Sequence, residues 1–156
     1  MYPSNLVTDP KIRNEIEVLI TEHAWLIDNH KCETIADLYT EDGKMVGAGH
    51  DTVGRAAIKE WGINRAKMSQ RKARHVLTNL RLVSTGPKLM QGTCVVTLYR
   101  YDGPGAGKPE AVAIADLQDT YELCNDGRWR IKVRDIKEIF ESDALRAQIA
   151  AAKQHK

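Results

Sequence analysis

The hydrophobic pattern of this chain changes period partway along, and that change limits the folds open to it. Behind Asp9-Pro10, Ile12, Ile16, Leu19, Ile20 and Ile27 recur at helical spacing, with His23 inside the same stripe. A carboxylate at the N-cap followed by proline is a helix start, and Asn29-His30 marks its end. From Ala73 onward apolar and polar residues alternate instead, which predicts strands over Ala73–Val83, Leu89–Tyr101, Glu110–Cys124 and Trp129–Phe140. Thr85-Gly86-Pro87, Asp102-Gly103-Pro104-Gly105 and Asn125-Asp126-Gly127 supply the turns between them. Between the two regimes the sequence reads as a short helix over Glu33–Tyr39, a short strand over Lys44–Ala48 and a third helix over Arg55–Met68. Helices first and an antiparallel meander after them predict an α+β domain: about three helices on a curved antiparallel sheet, forming a cone-shaped roll with a pocket between the layers. The alanine-rich stretch Ser142–Gln154 reads as a C-terminal helix.

At 156 residues the chain has the length of a single domain. It holds no apolar run near the roughly 18 residues a membrane span needs, so no membrane partner is expected. Its first residues carry neither a basic nor an apolar signal region. Cys32, Cys94 and Cys124 are odd in number and form no Cys-x-x-Cys pair, which predicts free thiols and a cytoplasmic protein. Charge is uneven: Trp61–Tyr101 contains no acidic residue but carries Arg65, Lys67, Arg71, Lys72, Arg74, Arg81, Lys88 and Arg100. Carboxylates return from Glu110 to Asp143. This division predicts neighbouring strands of complementary charge. A nucleic-acid module is the alternative, but the segment lacks the interleaved aromatics of such a surface.

Phosphate-binding glycine loops, zinc-ligand spacings and nucleophile elbows are absent, so neither cofactor nor metal is expected. What remains are ionisable residues at positions where apolar ones belong. His23 interrupts the apolar stripe of the first helix. His75 opens a strand whose same face continues through Leu77, Asn79 and Val83. Asp119 shares a strand face with Ala113, Ala115, Leu117 and Tyr121. Trp61, Tyr99 and Tyr101 are candidate pocket aromatics, although such residues more often belong to the core. His50 lies in a glycine-rich stretch that reads as a loop.

Several short runs bring these residues into one frame. They are Ala24–Asp28, Ala36–Gly43, Gly54–Ile58, Arg74–Asn79 and Asp126–Ile131. In this order, across about Ile12–Phe140, they resemble SnoaL-like proteins of the nuclear-transport-factor-like, cystatin-like superfamily. That family includes scytalone dehydratase, bile-acid 7α-dehydratase and hexachlorocyclohexane dehydrochlorinase. The resemblance implies a catalytic dyad of Asp28, late in the first helix, and His75, early in a strand. It also implies a pocket-lining polar group at His23 and, as in the dehydrochlorinase, an arginine at Arg134. Two departures stand out. His23 occupies the position of the bile-acid enzyme's tyrosine, which removes a phenol from that place. Strict alternation also puts Arg134 with Arg130 and Lys132, opposite Trp129, Ile131 and Val133, so Arg134 reaches the pocket only through a bulge.

An Asp–His pair of this kind is a general base that needs no cofactor. The resemblance therefore implies a lyase or isomerase acting on a small, largely apolar ring compound, with Asp28 and His75 catalytic. His23, Arg134, Trp61, Tyr99 and Asp119 are expected to bind substrate. The alternative is a non-catalytic protein of the same fold, either ligand-binding or a structural subunit like the β subunit of ring-hydroxylating dioxygenases, with its pocket filled by side chains. Homo-oligomerisation, as dimer or trimer, is expected because an open sheet needs cover, and Trp25 opposite the apolar stripe is a candidate contact.

Overall fold

In the computed structural model, which describes residues 3–147, Asp9 caps helix α1 (Pro10–Asp28). Its carboxylate accepts the N–H groups of Lys11 at 2.8 Å and Ile12 at 3.4 Å, two donors the helix itself leaves unpaired. Ile16, Leu19, Ile20, His23, Ala24 and Leu26 are buried, while Trp25 on the opposite side is half exposed. The helix ends where His30 takes a left-handed conformation (φ 57°). A 3₁₀ helix (Cys32–Leu38) follows, then strands β1 (Tyr39–Gly47) and β2 (His50–Val53) and helix α2 (Arg55–Ala66). Four long strands complete the fold: β3 (Arg71–Gly86), β4 (Leu89–Asp102), β5 (Ala111–Leu123) and β6 (Trp129–Glu141).

The strands form one six-stranded sheet in the order β2-β1-β6-β5-β4-β3. The four long strands make the expected antiparallel meander, whereas β1 lies parallel to β6. That parallel pair corrects the expectation of an all-antiparallel sheet. Its partners are far apart in sequence, and no local turn signal announces them. The strand expected at Lys44–Ala48 begins earlier, at Tyr39, and the glycine-rich loop is a two-residue turn between strands. Gly47, Ala48 and Gly49 all have positive φ and form a tight turn into β2, which contains His50. At Gly47 a Cβ would lie 2.1 Å from the Ile136 carbonyl oxygen, so only glycine lets β1 lie this close to β6.

One face of the curved sheet packs against α1, α2 and the 3₁₀ helix around a core that includes Ile16, Ile35, Tyr39, Met45, Ile58, Leu82, Tyr121 and Ile131. The opposite face leaves Val76, Tyr99 and Phe140 exposed. Before α1 the chain bonds to the β3 edge, where the Val7 N–H donates to the Leu82 carbonyl at 2.9 Å. Of the expected C-terminal helix over 142–154, residues 143–147 are helical, Ser142 precedes the helix, and residues 148–154 lie outside the described residues.

Two bulges change which side chains face inward. In β3 two residues, Asn79 and Leu80, occupy the space between the pairs Thr78–Val95 and Arg81–Thr93. Asn79 adopts φ 60°, a value asparagine tolerates better than most residues. The inward face therefore passes from Leu77 to Leu80 and Leu82, not through Asn79 and Val83 as plain alternation predicts. In β6, Lys132 is the extra residue between the pairs Tyr121–Ile131 and Thr120–Val133. This slip turns Arg134 inward beneath Ile131, and its burial is nearly complete at 3% exposure.

Candidate active site

Between the helices and the inner face of the sheet lies a cavity of about 300 Å³ with a mostly apolar wall. Ile20, Ile27, Leu77, Val96, Leu98 and Leu117 contribute much of that wall. His23, His50, His75 and Arg134 line the same cavity. Each is placed by a different element: His23 by α1, His50 by β2, His75 by β3 and Arg134 by β6.

The end of α1 lies against the start of β3, which places Asp28 on His75. The Asp28 carboxylate binds that one residue twice. Oδ1 lies 2.6 Å from the ring Nδ1, and Oδ2 accepts the His75 backbone N–H at 2.8 Å. Burial pushes the Asp28 carboxyl up, but the hydrogen bonds and charge of His75, with Arg74 adding to them, leave it below the usual carboxylate range. An ionised Asp28 can only accept hydrogen bonds, so the contact requires a proton on the His75 Nδ1 and makes Nε2 the ring nitrogen turned away from the carboxylate. His75 is thus fixed in orientation, with Nδ1 committed to Asp28 and Nε2 left to a molecule in the cavity.

Behind this pair stands a second polar group. His23 is buried and shares a 2.9 Å hydrogen bond between its Nε2 and the Tyr39 hydroxyl. Burial, followed by the positive charge of Arg134, holds the His23 ring well below its usual titration range, so it is neutral. Burial likewise raises the Tyr39 phenol. The sequence reading found no phenol beside His23. The structure supplies one from the start of β1, at a position assigned above to the end of a helix, and the aromatic character of Tyr39 at a strand start was the available signal.

Arg134 is clamped by Asp119 across the β5–β6 pair. Its Nη2 lies 2.6 Å and its Nε 3.1 Å from the carboxylate oxygens, and the Tyr121 hydroxyl donates to Asp119 Oδ2 at 2.8 Å. Burial opposes the Arg134 charge but Asp119 outweighs it, so the guanidinium stays firmly protonated. Asp119 therefore acts on the cavity through Arg134 and is not one of the groups lining it. Trp61 lines the cavity and contacts the His50 ring edge-on at 5.3 Å between centroids. Tyr99 does not join them. It alternates with Leu98 and Arg100, which face inward, and so lies on the outer face of β4 at 37% exposure. Among the described residues no three His, Cys, Asp or Glu side chains gather as a metal site.

A helix-covered, strongly curved six-stranded sheet with a cavity at its centre is the roll of the cystatin-like, nuclear-transport-factor-like class. Residues 11–135 match the SnoaL-like domain, and the chain belongs to that family. Its fold is shared by an Asp-to-Asn variant of Rv3472, a protein of unknown function from Mycobacterium tuberculosis, at 19% identity (TM-score 0.74, covering 93% of this chain and 96% of that one). A scytalone dehydratase candidate from Novosphingobium aromaticivorans aligns at 21% identity (TM-score 0.73, 88% and 91%). LinA aligns at 20% identity (TM-score 0.68, 83% and 87%). No curated protein matches the chain in sequence. Among the described residues no helix is long and apolar enough to cross a membrane.

Proposed function

We propose that this protein is a cofactor-independent lyase or isomerase for a small, largely apolar ring compound, with His75 as general base. The observation that carries this reading is the 2.6 Å Asp28–His75 contact at the wall of an open apolar cavity. Nε2 takes a proton from a carbon next to a carbonyl or a leaving group. The Asp28 carboxylate stabilises the resulting imidazolium, a contribution of about 10²–10⁴-fold in rate for such a base. The electron pair left on carbon either expels the leaving group, forming a double bond, or is held as an enolate whose proton returns elsewhere. Arg134 and the neutral His23 stabilise the developing anion. Similarity in fold to a scytalone dehydratase candidate supports the reaction class.

The non-catalytic alternative expects a cavity filled by side chains, and the open cavity favours a protein that takes up a small molecule. The exposed Val76, Tyr99 and Phe140 on the outer sheet face, together with Trp25, support assembly as a homo-oligomer. The test of function uses 2-tetralone, a two-ring ketone with acidic protons beside its carbonyl. Exchange of those protons in deuterated water, followed by NMR, should be accelerated by the wild type. His75→Ala should lose about 10²-fold or more of that acceleration. Equal exchange by wild type and His75→Ala would rule out His75 as the base.

A further inference from the structure

One group in the cavity wall has no role in the proton transfer and no partner. Arg65, in the last turn of α2, is only 6% exposed, yet its guanidinium has no ion pair and no hydrogen bond among the described residues, and its Nη1 is fully buried. It lines the cavity beside Arg71 and Arg100. Those two share a single carboxylate, Asp102, with Arg71 Nε and Arg100 Nε lying 2.9 and 3.1 Å from its Oδ1. Arg134, the other arginine of the wall, shares its carboxylate, Asp119, with no second arginine. Three guanidiniums thus converge on one end of the cavity with one carboxylate between them. Glu138, the acidic residue of the wall, is exposed and on β6.

A buried cation without a partner is costly, and an anion placed beside it removes that cost. Burial and the neighbouring Arg71 and Arg100 charges both pull the Arg65 guanidinium below its ordinary range, although Cys32 and Asp102 act the other way. An incoming negative group relieves this directly. The cationic end also lies at a defined distance from the base. Arg100 sits opposite Ala73, which precedes His75 by two residues on the same inward face, a step of about 7 Å along the strand.

We infer that the cavity recognises a carboxylate-bearing ring compound, with its carboxylate on Arg65 and flanked by Arg71 and Arg100, and its reactive carbon at His75. The anion makes a charge-assisted, forked contact with Arg65, and the ring occupies the apolar wall between the two ends. This rests on the reaction proposed above for the identity of the reactive carbon, whereas the carboxylate subsite is read from binding alone.

The probes are 2-naphthoate and its neutral, near-isosteric amide, 2-naphthamide, titrated by calorimetry at pH 7 in low salt. The wild type should bind the carboxylate at least about tenfold more tightly. Arg65→Gln should abolish that preference while leaving naphthamide affinity unchanged. Arg65→Lys, which keeps the charge but not the fork, should fall between. Asp102→Asn should strengthen naphthoate binding, and this variant keeps the inference testable if Arg65→Gln does not fold. His75→Ala should retain the full preference, so loss of proton exchange and loss of carboxylate recognition remain separable. Equal affinity for the two probes, binding of neither at millimolar concentration, or a preference that survives Arg65→Gln would overturn the assignment.

Discussion

Asp119→Ala is expected to be the most damaging single change in the polar groups behind the cavity wall. The Asp119 and Arg134 side chains are 1% and 3% exposed, so removing the carboxylate strands a guanidinium in the interior. Breaking a buried pair in this way costs about 3–5 kcal/mol. The Tyr121 hydroxyl also loses its acceptor, worth about 1 kcal/mol. Arg134 faces a cavity that water can enter, which softens the first figure, so a total of about 3–4 kcal/mol is expected. For a chain of this size that corresponds to a fall in Tm of roughly 6–16 °C. The double variant Asp119→Leu, Arg134→Met removes both charges and should lie within about 1–2 kcal/mol of the wild type, because the desolvation cost disappears with them. Guanidinium denaturation at pH 7, with calorimetry for Tm, measures both. A single variant that loses less than about 1 kcal/mol, or a double variant as damaged as the single, would refute a desolvated, mutually dependent pair.

The remaining predictions concern titration and packing. His23 is buried in its neutral form, with a folded-state pKa below that of the unfolded chain, so the unfolded state binds the extra proton at acid pH. Its contribution to stability is complete above the unfolded value near 6.5 and declines as pH falls below it, by up to about 1.4 kcal/mol per pH unit. Stability curves of the wild type and His23→Gln between pH 7 and 5 should therefore converge as pH falls, and parallel curves would contradict a neutral, buried His23. Asp28, with its lowered pKa, should add stability above its unfolded value that is lost as pH falls through the folded one, a dependence that Asp28→Asn should remove. In α2, a Cβ at Gly62 would meet the Cys32 carbonyl oxygen at 2.2 Å. Gly62→Ala should cost about 1–3 kcal/mol in denaturant unfolding despite alanine's better helix propensity; a stabilised variant would show that the 3₁₀ helix does not press on α2.

Local signals carried most of the fold. Asp9-Pro10 started α1 where the structure starts it, and the turn sequences bounded β3 to β6 to within a few residues because their chemistry acts over neighbouring positions. Non-local features were illegible. Nothing near Tyr39–Gly47 specifies a parallel partner in β6, and Gly47 reveals its purpose only beside the Ile136 carbonyl. The bulges at Asn79 and Lys132 likewise come from pairing across strands, which is why alternation sent Asn79 and Val83 inward and Arg134 outward. His75 stands out as a residue out of keeping with its surroundings, whereas Asp28 reads alone as a helix-terminal carboxylate and is joined to His75 only by the resemblance to a family. Their contact depends on how α1 crosses β3. Arg65 passed as one basic residue in an acid-free run, since only burial distinguishes it from Lys67 or Arg81.

The central claim is that Asp28 holds the His75 proton on Nδ1 and leaves Nε2 as the base. Nitrogen-15 NMR of the imidazole rings at neutral pH, assigned with His75→Ala, measures this directly. The account predicts a protonated, hydrogen-bonded Nδ1 and an unprotonated Nε2 in the wild type, with that preference lost in Asp28→Asn. A wild-type ring carrying its proton on Nε2, or a tautomer unchanged by Asp28→Asn, would contradict it.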